Sequence, residues 1–169
     1  HNIVGAIAHH RAQCEGIAKA VKVLLNAVDI KCIVVTGKAD GNGQNGPHAW
    51  NIVNIDGKAY QLDITWDIGA GGKNKDRMAY DYFNLTDGMM YMDHTPDSKL
   101  PICNSLDMNY FRNNKLVFNS KTRLLAYIDS LLKKGEMDFY FQLEGRLKMK
   151  DILKDISDLS MSVMTTKGK

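Results

Sequence analysis

The 169 residues are 44% hydrophobic and 24% charged with a net charge of +3, enough for a globular fold with a real core, and a single domain over 1–169 is expected. Scattered lysines carry the excess charge, with no basic run interleaved with aromatics to mark a nucleic-acid partner, no apolar run near the roughly 20 residues of a membrane span, and no signal-peptide pattern at the start. The three cysteines, Cys14, Cys32 and Cys103, cannot all pair and follow no zinc spacing, which argues against a disulfide framework or a metal site and leaves at least one thiol free.

In chain order, Ile3, Val4, Ala6, Ile7 and Ala8 predict a helix over residues 2–11. From Cys14 on, Ile17, Ala18, Val21, Leu24, Leu25 and Val28 recur at steps of three and four, an amphipathic helix with Cys14 at its start and those side chains on its buried face. Residues 30–36 are β-branched and apolar enough for an interior strand, and Gly37 through Pro47, rich in glycine, predict a loop. His48 to Asp63 then reads as two strands joined at Asp56-Gly57, a pair that accepts positive φ at both central positions of a two-residue turn. With that turn Ile55 faces Lys58, Trp50 faces Asp63 and His48 faces Thr65. His48, Trp50, Asp63 and Thr65 would then leave one side of the sheet, with His48 and Asp63 diagonal neighbours about 7–8 Å apart at the backbone.

Gly69 to Asp76 is too polar and glycine-rich to pack. Met78 to Leu85 and Met89 to Met92 predict a strand pair turning at Asp87-Gly88, followed by a long connection over 95–114, with Tyr110-Phe111 and Leu116 to Phe118 as short strands or anchors. Ser120 is the expected N-cap of a helix in which Leu124, Leu125, Ile128, Leu131 and Leu132 share a face and which stops at Gly135. Alternating Phe139, Phe141 and Leu143 predict a strand, Met149, Ile152, Leu153, Ile156 and Leu159 a third helix, and Met161, Val163 and Met164 the start of one further strand.

A helix N-terminus and a neighbouring imidazole both favour a thiolate. Cys14 has the first by position. His48 would supply the second and Asp63 would orient its ring, a trio able to attack a carbonyl and pass the acyl group to water or to an amine. The Cys14 N–H and the Gln13 side chain are the expected oxyanion donors. Cys32 in its strand and Cys103 in its loop read as buried small hydrophobes, and His1, His9 and His10 as surface or core histidines. His94 is a rival to His48 and Asp67 a rival to Asp63; Trp50, Trp66 and Tyr60 read as core or groove wall.

Cys14-Glu15-Gly16-Ile17-Ala18-Lys19-Ala20, then His48-Ala49-Trp50-Asn51-Ile52-Val53, then Gln61-Leu62-Asp63-Ile64-Thr65-Trp66-Asp67 resemble the three-part signature of the transglutaminase-like superfamily, particularly its bacterial cysteine-peptidase-like members. Tyr80 through His94 resembles the continuation in those bacterial members. The resemblance implies an α+β, papain-like core with the nucleophile helix packed on an antiparallel β-sheet, catalytic Cys14, His48 and Asp63, no metal or cofactor, and a peptide or protein substrate. Animal transglutaminases carry a tryptophan beside the cysteine where Glu15-Gly16 stand here, which favours hydrolysis over crosslinking. The resemblance also implies an extracellular or cell-surface setting and a domain excised from a longer chain. It leaves open the alternative of a catalytically silent binding or assembly module of a surface protein.

Overall fold

A computed structural model describes residues 14–41, 43–70 and 78–167, excepting the side chains of 70 and 162–167. The helix expected over 2–11, Gln13, and His1, His9 and His10 lie outside these residues, as does most of the segment from Gly69 to Asp76. The chain divides into two compact units between Tyr110 and Phe111.

The first unit is α+β. Helix α1 (Cys14–Asn26) is followed by β1 (Lys31–Gly41), β2 (Gln44–Ile55), β3 (Lys58–Leu62), α2 (Ile64–Ala70), α3 (Asp87–Met90) and β4 (His94–Pro96). The four strands form one sheet in the order β3-β2-β1-β4, antiparallel throughout. The Asp56-Gly57 turn has φ of 52° and 80° and sets the expected register, from Ile55 opposite Lys58 to Asn51 opposite Leu62.

Three expectations for this unit are corrected. Gly37 to Pro47 is not a loop: β1 and β2 stay paired from Lys31 opposite Asn54 to Gly41 opposite Gln44. Pro47 is tolerated because β3 pairs with β2 only from Asn51 onward, so among the described residues no strand pairs with that edge of β2 at the proline, which has no N–H to give. Gly37 sits between β2 and β4, opposite His48 and Pro96, and a Cβ there would lie 2.2 Å from the Thr95 carbonyl oxygen and 2.9 Å from the Trp50 ring. Gly37→Ala is therefore expected to cost about 2 kcal/mol or more by forcing β4 away; an unchanged urea midpoint would show that β4 moves aside freely.

The second correction concerns Met78 to Met92, expected as a strand pair. Tyr80 and Asn84 have φ of 64° and 56°, which interrupts extended backbone, and Leu85 forms only an isolated bridge to Gln61. Asp87-Gly88 opens α3 instead of a hairpin, because the Thr86 hydroxyl accepts the Met89 N–H at 3.4 Å and the Asp87 carboxylate accepts the Cys103 N–H at 3.0 Å. The third concerns part of the face expected for α1. Ala18 is buried and Val21 and Leu25 meet the sheet as expected, but Leu24 is 60% exposed, Val28, past the end of the helix, is 64% exposed, and Gly16 and Ala20 are buried instead. Small residues face the sheet because the helix lies close upon it: Asn51 Nδ2 donates to the Ala18 carbonyl at 2.9 Å and to the Ile33 carbonyl at 3.1 Å.

Strand alternation then divides the core between the two sheet faces. Val35, Trp50 and Ile52 pack with Leu85, Met90 and Cys103 on one face. Cys32, Val53, Tyr60 and Leu62 form the other, with Val21 and Leu25 of α1 against them.

Helix α4 (Tyr110–Asn113), where a short strand was one expectation, spans the division between the units. The second unit then holds β5 (Val117–Phe118), α5 (Lys121–Lys134), β6 (Gln142–Leu143), a 3₁₀ turn over Met149–Asp151 and α6 (Leu153–Lys167). Leu124, Ile128 and Leu132 of α5 pack with Phe118 and Ile152, and Gly135 caps the helix at φ 88°. Ser120 occupies the N-cap position without a side-chain hydrogen bond. The strand expected over 139–143 shrinks to Gln142–Leu143, parallel to β5. Met161 to Met164 continue α6 and do not begin a strand, since no Gly or Pro interrupts the chain from Leu153 until Gly168. No described helix is long and apolar enough to cross a membrane.

Candidate active site

The hairpin register brings the start of β3 level with Ile55 and its end level with Asn51, so the chain leaves the sheet just beyond Leu62. Asp63 stands at that exit. Its Oδ1 accepts the N–H of Trp66 at 3.2 Å and its carbonyl accepts the N–H of Asp67 at 3.2 Å, the geometry of a helix N-cap, and α2 begins one residue later. Thr65 is accordingly helical and not the strand partner of His48, which corrects the expectation of four side chains on one strand face.

Capping with Oδ1 leaves Oδ2 to meet His48 of β2, whose Nε2 lies 2.6 Å away. Sequence spacing did not bring in the third member, His94, whose Nε2 is 3.1 Å from the same oxygen. His94 arrives through β4, where it pairs with Ala39 of β1. Its Nδ1 is 2.5 Å from Asp93 Oδ1, and the Tyr82 hydroxyl donates to Asp93 Oδ2 at 2.6 Å. The side chains of Asp63 and His94 are wholly buried and that of His48 is 8% exposed.

Aromatic rings enclose the group. The His48 ring lies near-parallel to Trp50 at 6.2 Å and tilted to Trp66 at 5.7 Å, and His94 is 4.5 Å from Trp66 and 5.0 Å from Trp50. Trp50 is itself pinned: its Nε1 donates to Gln61 Oε1 at 2.8 Å, and Gln61 Nε2 donates to Asp87 Oδ1 at 2.9 Å and to the Tyr91 hydroxyl at 3.1 Å. These tryptophans are thus walls of the site, as read from the sequence.

Burial alone would raise the Asp63 carboxyl, but hydrogen bonds from His48 and His94, the His48 charge and the Trp66 N–H outweigh it and hold the group below the usual carboxylate range. His94 shows the converse balance: burial disfavours its charge, yet the hydrogen bonds and charges of Asp63 and Asp93 raise it above an ordinary histidine. His48, Asp63 and His94 each bring one ring nitrogen or carboxylate oxygen within 4.8 Å of the others, a span one cation could bridge. Asp63 Oδ2 is already engaged by both rings, however, so the cluster closes on itself as a hydrogen-bonded network.

Asp67, the rival carboxylate, meets no histidine among the described residues. Its Oδ1 accepts the Tyr82 N–H at 2.8 Å and its buried Oδ2 has no partner among the described residues. Burial, with smaller contributions from Asp81 and Asp63, pushes its carboxyl up to about 7 despite the Tyr82 N–H. Because the folded value is raised, Asp67 erodes stability as pH climbs from the unfolded value near ~4 to about 7, and the full penalty persists above that. Asp67→Asn, which keeps the acceptor for Tyr82, is expected to flatten that slope and to gain on the order of 2 kcal/mol at pH 8 in urea unfolding. A variant losing stability equally at pH 4 and pH 8 would contradict this account.

Cys14 is the first residue of α1, half-buried and unbridged. Ala18, one turn on, is bonded to Asn51, and farther along the helix Asn26 Oδ1 accepts the N–H of Cys32, which lies opposite Val53. Helix α1 therefore runs alongside β2 with its Cys14 end toward the His48 end of the strand. The structure joins His48 to Asp63 directly and gives Cys14 a separate place at this helix start. Cys32 and Cys103 are buried, as expected, and burial raises both thiols, Cys103 to about 12. A cavity of about 530 Å³ adjoins the histidine cluster, lined by Asp40, Thr65, Trp66, Gly69, Tyr82 and Asp93 among others.

No family model matches the chain. The chain is similar to Kyphoscoliosis peptidase of Mus musculus, 27% identical over 101 residues that cover 53% of this chain and 15% of that protein. Kyphoscoliosis peptidase of Homo sapiens matches at the same 27% identity over 101 residues, again 15% of its length. The chain thus spans a small part of these relatives.

Proposed function

We propose that the chain is a cysteine-nucleophile enzyme with a transglutaminase-like, papain-like core, acting on peptide or amide bonds of a peptide or protein substrate, with hydrolysis as its reaction. The observation that carries this reading is the 2.6 Å bond between His48 Nε2 and Asp63 Oδ2 inside an aromatic enclosure, a base already joined to its orienting carboxylate. Supporting it are Cys14 at the start of a helix whose direction carries it toward the His48 end of β2, and the similarity to proteins named peptidases.

With Nε2 committed to Asp63, His48 Nδ1 is the nitrogen available for proton transfer. It takes the Cys14 thiol proton, and the thiolate adds to the substrate carbonyl carbon. Collapse of the tetrahedral adduct breaks the C–N bond, His48 returns the proton to the departing amine, and an acyl-thioester remains. Water, deprotonated by His48, attacks the thioester to release the acid and regenerate the thiol. The Cys14 N–H at the helix start supplies an oxyanion donor. The cavity lined by Trp66, Tyr82 and Asp93, residues that touch the histidine cluster, is the nearby space for a substrate chain, although neither histidine lines it.

The test is incubation with a peptide library, with and without a primary amine, read by mass. New termini in the wild type and none in Cys14→Ala support hydrolysis. Amine addition with ammonia loss shifts the reaction to acyl transfer, and unchanged peptides in both leave the fold as a silent binding module.

A further inference from the structure

Resting on that reading of the site, we infer that His94 is a positioning residue: bonded to Asp63 Oδ2, it holds the carboxylate in the one orientation from which it can steer His48. Asp63 is fixed at both oxygens, Oδ1 by the Trp66 N–H at 3.2 Å and Oδ2 by His48 at 2.6 Å and His94 at 3.1 Å. The cap alone would leave Oδ2 free to pivot about the Oδ1 bond; His94 removes that freedom. His94 is in turn immobilised, since its Nδ1 meets Asp93 Oδ1 at 2.5 Å, Asp93 Oδ2 accepts from Tyr82, and its ring is walled by Trp50 and Trp66.

The donor inventory adds an electrostatic role. Both ring nitrogens of His94 face carboxylates, which when ionised only accept, so both nitrogens donate and the ring is an imidazolium. The titratable groups facing it are Asp63, Asp93, His48 and Tyr82. A fixed cation on the far side of Asp63 keeps that carboxylate ionised, so that it orients His48 without taking its proton. Tyr82, Asp93, His94, Asp63 and His48 thus form one continuous chain, of which the sequence motif contains only the last two.

His94→Gln retains an amide N–H for Asp63, whereas His94→Ala removes it. His94→Ala is expected to lower kcat on a peptide substrate, and the rate of Cys14 alkylation at pH 7, by about 10- to 100-fold, the worth of one hydrogen bond to a charged group, with KM unchanged. His94→Gln, which keeps the hydrogen bond without the charge, is expected to recover part of the loss. Should the alanine variant not fold, His94→Asn, too short to reach Asp63, takes its place. Wild-type rates in His94→Ala, or equal impairment of the two variants, would overturn the assignment. If Cys14 proves unactivated in the wild type, the catalytic reading fails but the positioning claim is still decided, by NMR titration of the His48 ring. A midpoint raised in His94→Ala supports it, and an unmoved midpoint overturns it. Zinc chloride that raises the Tm of the wild type but not of His94→Ala would also overturn it, making the cluster a metal centre.

Discussion

With His48 replaced by alanine, alkylation of the protein by iodoacetamide at pH 7 is expected to slow by about 30-fold, the ratio between a fully formed thiolate and the small ionised fraction of a thiol whose pKa is near 8.5. The measurement reports on Cys14 because the other two cysteines are shielded. Cys32 and Cys103 are 3% and 1% exposed and burial raises their thiols, so Cys14→Ala should remove nearly all fast labelling. The pH profile separates the possibilities further. A thiolate–imidazolium pair gives a rate that stays high well below pH 7, whereas His48→Ala should follow an ordinary thiol and climb only as pH approaches 8.5. Equal rates in the two proteins would sink the pairing of Cys14 with His48, whatever the fold.

What the sequence could announce about this site was set by how local the deciding interaction was. The register of β2 and β3 follows from Asp56-Gly57, where the two residues that accept positive φ stand side by side, and it carried the pairing from Ile55 to Asn51 without error. The meeting of His48 with Asp63 was therefore legible, although by a different route from the one anticipated. Asp63 reaches the histidine as a helix cap beyond the end of its strand, and an aspartate three residues before Trp66 at the close of an apolar run was a readable capping signal.

His94 was not legible in the same way. It joins the cluster through a three-residue strand that pairs with β1 across more than fifty intervening positions, as with Ala39 opposite His94, and no periodicity within β4 reports that partner. Gly37 misled for a related reason. Glycine there reads as a loop signal in isolation, but its cause is the close approach of β4 and Trp50, which only the assembled sheet reveals. For α1 the apolar period marked the helix and most of its covered face, with Ala18 buried and Val21 and Leu25 on the sheet. It also selected the exposed Leu24 and Val28 and passed over Gly16 and Ala20, small residues that fit where Asn51 holds the helix close.

The largest loss of stability is expected from Asp63→Ala. The carboxylate serves three donors at once, His48, His94 and the Trp66 N–H, so its removal strips the cap from α2 and leaves the His94 ring, wholly buried, facing Asp63's vacant place with a charge it can no longer share. Breaking a buried ion pair at one partner costs about 3–5 kcal/mol, with the lost cap adding about 1 kcal/mol. Asp63→Asn retains an oxygen for the cap and should lose less. The pH dependence of the difference from wild type identifies the source. The folded value of Asp63 is lowered, so its contribution is present above the unfolded value near ~4 and fades as pH falls through the folded one. His94 is raised, so its contribution is present below ~6.5 and fades as pH rises through its folded value. Wild type minus Asp63→Asn should therefore be greatest between about pH 4 and 6.5 in urea unfolding and diminish on both sides. A difference constant across that range would assign the loss to packing and remove the electrostatic coupling of Asp63 with His94.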